Sequence, residues 1–145
     1  MPRWEADRLD LSSYPGPGVD LPVMYADLDT NGHLNNVALG RFFEHQRASA
    51  FTGSGFWHAV HAAGGFSVVG RVAIDYLREV HMGSTLHVRS RMVRVGTSSA
   101  TVEQCAWRDG EPIGLAEVVF VHTKGGASAP WPDAAVAVLR DMGAP

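Results

Sequence analysis

Between residues 36 and about 51 the apolar side chains Leu39, Phe42, Phe43 and Ala50 fall on one stripe at helical spacing. Val37 and Phe51, with the small Gly40 and Ala48, widen that stripe, so the pattern predicts a helix with little surface in water. After Gly65 the period changes. Residues 66–77, 85–95, 100–107 and 113–122 are rich in valine and other strand formers, broken at His81-Met82-Gly83, Gly96-Thr97 and Asp109-Gly110. Asp109-Gly110 is a two-residue hairpin signal, and short connections of this kind join antiparallel neighbours.

Four long strands in meander order must bury one face, and the apolar helix is the element available to cover it. Residues 21–26 read as a fifth, short strand. The pattern therefore predicts an α+β fold, an antiparallel five-stranded sheet wrapped around a central helix. A helical turn or two is expected over residues 56–63 and a short helix over 133–141, behind Trp131-Pro132. Residues 1–20 hold Pro2, Pro15, Gly16, Pro17 and Gly18, a composition that resists helix and sheet. They are expected to form an extended arm, tacked down through Trp4, Leu9 and Leu11, ahead of a single domain at 21–145.

The length of 145 residues suits one core, since a domain of that size buries roughly 70% of its unfolded surface. A net charge of −3 gives no electrostatic reason to expect nucleic acid as a partner. Cys105 is the only cysteine, which excludes an intramolecular disulfide and points to a reducing compartment. Its strand neighbours suggest an inert buried thiol. The first eight residues lack the apolar core of a secretory signal, and no apolar run approaches the roughly 20 residues needed to span a bilayer. A cytoplasmic protein with no membrane insertion is expected.

Chemistry is concentrated in Tyr25-Ala26-Asp27-Leu28-Asp29-Thr30-Asn31-Gly32-His33-Leu34-Asn35-Asn36, just ahead of the helix. Asn35 or Asn36 suits the N-cap, which leaves free amides and the positive end of the helix dipole beside Asp29, Asn31 and His33. Asn31-Gly32 is a turn signal that doubles the chain back between Asp29 and His33. A carboxylate, a carboxamide, an imidazole and an oxyanion site suit acyl transfer to water. The same residue types also serve any strand-to-helix loop. Glu44 and Arg47, three apart, suit an ion pair on one helix face. His58 and His61 are also three apart, but no carboxylate or cysteine ligand lies near in sequence, so no metal site is expected.

The order of these residues carries more than their types. Asp27-Leu28-Asp29-x-Asn31-x-His33-Leu34-Asn35-Asn36, followed by Phe42-Phe43-Glu44-x-x-Arg47, resembles the signature of hotdog-fold thioesterases, closest in pattern to the acyl-ACP and 4-hydroxybenzoyl-CoA thioesterase branches. The likeness extends to residues 70–75, to Gly96-Thr97-Ser98-Ser99 and to residues 116–122, covering most of the chain from about 21 to 123. It implies a hotdog fold and hydrolysis of an acyl thioester, with Asp29 as nucleophile or general base. Asn31 and His33 match the other polar members, an amide near Asn36 would bind the thioester oxygen, and Glu44 is an accessory acid or base.

The resemblance further implies a homodimer or homotetramer with sites between subunits, and acyl-CoA or acyl-ACP as substrate. No cofactor is implied beyond the coenzyme A or pantetheine arm of that substrate. Phe42, Phe43, Phe51, Phe56 and Trp57 suit an acyl pocket or, equally, the core. Arg71 and Arg78, like Arg89, Arg91 and Arg94, suit phosphate contacts or ordinary solvated strand positions. Two alternatives share the fold: an acyl-thioester hydratase or dehydratase, and a non-catalytic acyl-CoA-binding protein.

Overall fold

The computed structural model describes residues 6–143. Its sheet is built from β1 (Val19–Pro22), β2 (Phe66–Tyr76), β3 (Thr85–Val95), β4 (Ser99–Arg108) and β5 (Glu111–Lys124), all antiparallel in the order β1-β3-β4-β5-β2. A two-residue β6 (Ala127–Ser128) pairs with β5. Among the described residues four α-helices accompany the sheet: α1 (Ala6–Leu9), α2 (Asn36–Ser54), α3 (Phe56–Ala62) and α4 (Asp133–Asp141).

The long helix, the hairpin and α4 form where the pattern predicts them. Asp109 and Gly110 take φ of 51° and 79°, the left-handed pair that a tight hairpin requires and that glycine adopts without penalty. Two expectations are corrected. The first strand runs over Val19–Pro22, not 21–26, because Tyr25–Asp27 winds into a 3-10 turn in which Asp27 Oδ2 accepts from the Met24 amide at 2.8 Å. The sheet is not a meander: β2 pairs with β5, and the 77–84 connection carries the chain to the other side of the sheet. Val80 anchors this crossing, with its side chain 1% exposed and its carbonyl accepting from the Leu34 amide at 2.7 Å.

Alternation decides what each face buries. Leu86, Val88, Ser90 and Met92 of β3 and Ala100, Val102, Gln104 and Ala106 of β4 are buried, and the apolar ones join Leu39, Phe42, Phe43 and Phe51 of α2 in two adjoining core clusters. Gly114 lets β5 approach the helix closely, since a Cβ there would meet Leu39 Cδ2 at 3.0 Å. Register shifts that leave one residue unpaired in β2, β3 and β5 mark bulges, which increase local twist and help the sheet curl. The opposite face of β4 is dry as well. There Cys105 and Trp107 pack with Leu115 of β5 under Tyr14, whose ring meets Trp107 edge-on at 5.3 Å.

Among the described residues, 6–18 are thus folded onto the sheet, through α1 and a 3-10 turn at Leu11–Ser13, and not simply extended. Trp107 Nε1 donates to the Leu9 carbonyl at 3.1 Å, and Arg8 joins Arg91 around Glu103. The expected contact through Trp4 lies outside the described residues. One face of α2 stays open, through Val37 (70% exposed), Arg41, Glu44, His45 and Ala48, because the sheet reaches only one side of this helix.

Candidate active site

Asp29 sits in a tight loop that its own carboxylate organises. Oδ1 accepts from the amides of Asn31 at 2.8 Å and His33 at 3.1 Å, while the Asp29 amide donates to the His33 carbonyl at 2.8 Å. Oδ2 has no partner among the described residues. The loop is closed behind by a Leu28–Leu34 bridge and by the Asn35 amide, which donates to the Asp27 carbonyl at 2.7 Å. Asn35 is the N-cap: its Oδ1 accepts from the Val37 amide at 2.7 Å. Asn36 opens the helix, and its amide has no acceptor among the described residues.

Asp29, His33 and Asn36 line one cleft of about 290 Å³, together with Leu34, Leu39, Tyr76, Leu77, Arg78, Glu79, Val80 and Ile113. Its floor is apolar and its rim charged. Tyr76 Oη donates to the Asn36 carbonyl at 3.2 Å and ties β2 to the helix start. Arg78 is held by Glu111 at 2.7 Å. Asn31 lies at the exposed loop tip and meets Asp29 through its backbone amide. The ring of His33 turns away from Asp29 toward the 77–84 crossing, with Nε2 3.4 Å from Glu79 Oε2 and an edge-on contact to His81 at 4.9 Å.

The remaining expected residues lie elsewhere. Glu44 is exposed and lines a second hollow of about 210 Å³ with Arg47, Ala48, Phe51, Trp57, Ser67, Val69 and Phe120. Phe43 and Phe56 are 0% exposed and belong to the core, as does the nearly buried Phe42. Arg71 is exposed on β2 and paired with Glu117 at 2.7 Å. Arg47 forms no hydrogen-bonded pair with Glu44. Its Nη1 donates to Gln104 Oε1 at 3.0 Å inside the core, where burial lowers its pKa and the nearby Glu44 charge partly offsets that.

Cys105 is fully buried, and burial pushes its thiol up to about 12, which makes it inert at neutral pH. His58 and His61 are both exposed, and His61 stacks on Trp57. Sequence reasoning passed over Tyr76, Glu79 and His81. Tyr76 left no local signal. Glu79 and His81 left one, the alternation of polar residues about Val80, hidden by reading His81-Met82-Gly83 as a simple break.

Residues 23–139 match the thioesterase-like superfamily. The chain belongs to that superfamily. Among curated relatives, the chain is 31% identical over 94 residues to Protein THEM6 of Xenopus laevis, a match that takes in 65% of this chain and 44% of THEM6. It is 30% identical over 114 residues to the uncharacterized protein YsmA of Bacillus subtilis, covering 77% of this chain and 76% of YsmA. The chain thus spans less than half the length of the first relative and about three quarters of the second.

A thioesterase from Thermus thermophilus, solved with coenzyme A and Zn, superposes with a TM-score of 0.77 at 30% identity, covering 89% of this chain and 95% of that one. YbaW, a probable thioesterase from Escherichia coli, gives 0.80 at 20% identity over 86% of this chain and 97% of its own, a likeness of fold. This thioesterase-superfamily chain accordingly has the hotdog fold, with the sheet curled around α2. Among the described residues, no helix is long and apolar enough to cross a membrane.

Proposed function

We propose that the protein hydrolyses an acyl thioester of coenzyme A in the cleft between the Asp29 loop and the start of α2. The observation that carries this is the pairing of a half-committed carboxylate with a helix start in one cleft. Asp29 Oδ1 is fixed by two backbone amides, and Oδ2 is left to face a reactant; Asn36 lines the same cavity. The amide of Asn36, at the positive end of α2, is placed to stabilise negative charge growing on the thioester oxygen. Asp29 either takes a proton from the attacking water or attacks the carbonyl carbon itself. In both cases the carbon–sulfur bond breaks and the thiol leaves with a proton; water supplies the acid oxygen directly in the first route, and in the second it cleaves the Asp29–acyl anhydride, releasing the free acid and restoring the carboxylate.

Membership of the thioesterase-like superfamily supports the reaction class, and the coenzyme A bound by the Thermus relative supports the carrier. Arg78, on the cleft wall, is the cation we assign to the phosphate-bearing end of that carrier. Asn31 serves through its amide on Asp29. His33 lines the cleft but faces Glu79, so its part is to shape the wall.

The active form we propose is a homodimer joined along β2. That strand pairs only with β5 among the described residues and exposes Phe66, Val68, Val69, Val72 and Tyr76 at its outer side. Antiparallel pairing of two β2 edges would set the Phe66 end of one copy against the Tyr76 end of the other. The hollow holding Glu44, Phe51 and Trp57 in one copy would then adjoin the Asp29 cleft of the other, giving Glu44 its accessory role and Trp57 its place beside the acyl chain. The lone buried thiol fits a reducing cytoplasm.

Free-thiol release from acyl-CoA thioesters, short to long and aliphatic to aromatic, tests the reading. Asp29→Asn and Asp29→Ala should each lower kcat by at least about 100-fold with the circular dichroism unchanged. Near-normal turnover in either folded variant would overturn it. A single turnover in labelled water separates the two chemistries, since label enters the Asp29 carboxylate only if that carboxylate attacks. Parallel assays on acyl-carrier thioesters check the choice of carrier.

A further inference from the structure

On the wall of the Asp29 cleft, two segments distant in sequence bring three ligand-type side chains together. Glu79 and His81 flank the buried Val80 and are both exposed on the outer side. His33 lies across an antiparallel bridge from His81 and points the same way. The backbone beneath them is fixed at three points: by that bridge, by the Leu34 amide donating to the Val80 carbonyl at 2.7 Å, and by Arg108 Nη1 donating to the Glu79 carbonyl at 2.9 Å. One ligand atom from each of His33, Glu79 and His81 lies within 4.8 Å of the other two.

We propose that these three side chains form a site for a divalent transition-metal ion of the zinc class. Two imidazoles and one carboxylate make a donor set that suits zinc and leave coordination positions open. Adjacent ligand atoms around tetrahedral zinc stand about 3.3 Å apart at ordinary bond lengths. His33 Nε2 and Glu79 Oε2 are already at 3.4 Å. His81 and Glu79 are exposed, so their side chains can close the remaining distance by rotation while the backbone stays fixed. No other group of three or more such side chains gathers in this way among the described residues. Because His33 and Glu79 line the cleft, an ion held here borders the volume where the thioester is placed. Binding of the ion stands or falls apart from the Asp29 chemistry, since it depends on three other side chains.

Zinc is titrated calorimetrically into the full chain, and cobalt binding is followed by its visible absorption. We expect one saturable site per chain for zinc and a cobalt spectrum with nitrogen and oxygen ligation. Glu79→Gln and His81→Ala should each weaken zinc at least about 10-fold and the double variant should abolish it. The exposed pair His58→Ala/His61→Ala should leave both signals unchanged. Absence of saturable binding in the parent chain would overturn the proposal. Binding that survives in the Glu79/His81 double variant, or that is lost with His58 and His61, would overturn it equally.

Discussion

Arg47 is a charged residue that the fold keeps almost dry, and two glutamine carboxamides make that possible. Gln104 Oε1 accepts from its guanidinium, Gln104 Nε2 donates to the Phe43 carbonyl at 2.8 Å and to Gln46 Oε1 at 2.6 Å, and Gln46 Nε2 donates onward to Ser90 Oγ and the Pro17 carbonyl. Gln104→Leu removes the acceptor and leaves a buried cation facing hydrocarbon. The expected loss is about 2–4 kcal/mol of unfolding free energy, read from urea denaturation. None of this was visible beforehand. Arg47 read as an ion-pair partner for Glu44, three residues away, and Gln46 gave no signal; the partner both share sits on a strand more than fifty residues on. The turn between Asp29 and His33 was legible because its closing contacts lie two and four residues away, within reach of a short motif. The aromatic positions were legible as apolar, but Phe43 and Phe56 proved to be core, since periodicity reports which side of a helix is buried and not what covers it.

At the scale of elements, the start of α2 ties stability to the site. Asn35 caps the helix and, through its amide, holds the Asp27 end of the loop. Asn35→Ala should cost about 0.5–2 kcal/mol, measured by chemical denaturation, and under the proposed mechanism thioester turnover should fall disproportionately, because the Asn36 amide loses its orientation. Local signals placed α2, α4 and the Asp109-Gly110 hairpin. They failed at the pairing of β2. A break at 81–83 looks like a turn between neighbours, whereas Phe66–Tyr76 pairs along nearly all its length with β5, and that pairing depends on two segments some forty residues apart. Val80 shows why the connection is not a hairpin: its side chain is packed in the core with Leu39 and Ile113.

Among the described residues, the open side of α2 and the outer edge of β2 are surfaces that a single chain does not cover. Their exposed apolar members, Val37 on the helix and Phe66, Val68, Val69, Val72 and Tyr76 on the strand, are what the second copy of the proposed dimer would bury. Val72→Glu places like charges near the middle of the proposed seam. Sedimentation should then show monomers, and hydrolysis should fall with them; dimers of unchanged affinity would move the interface elsewhere. Part of the opposite face of the sheet, around Cys105, Trp107 and Leu115, is already covered from within. Tyr14 roofs Trp107 and Cys105, and its hydroxyl is latched to the Arg8 carbonyl at 2.7 Å. A chain clipped to begin at Val19 would therefore lose an inner wall, not a loose tail: its lone thiol would become open to oxidants, and a bare indole would be left as a nucleus for clumping.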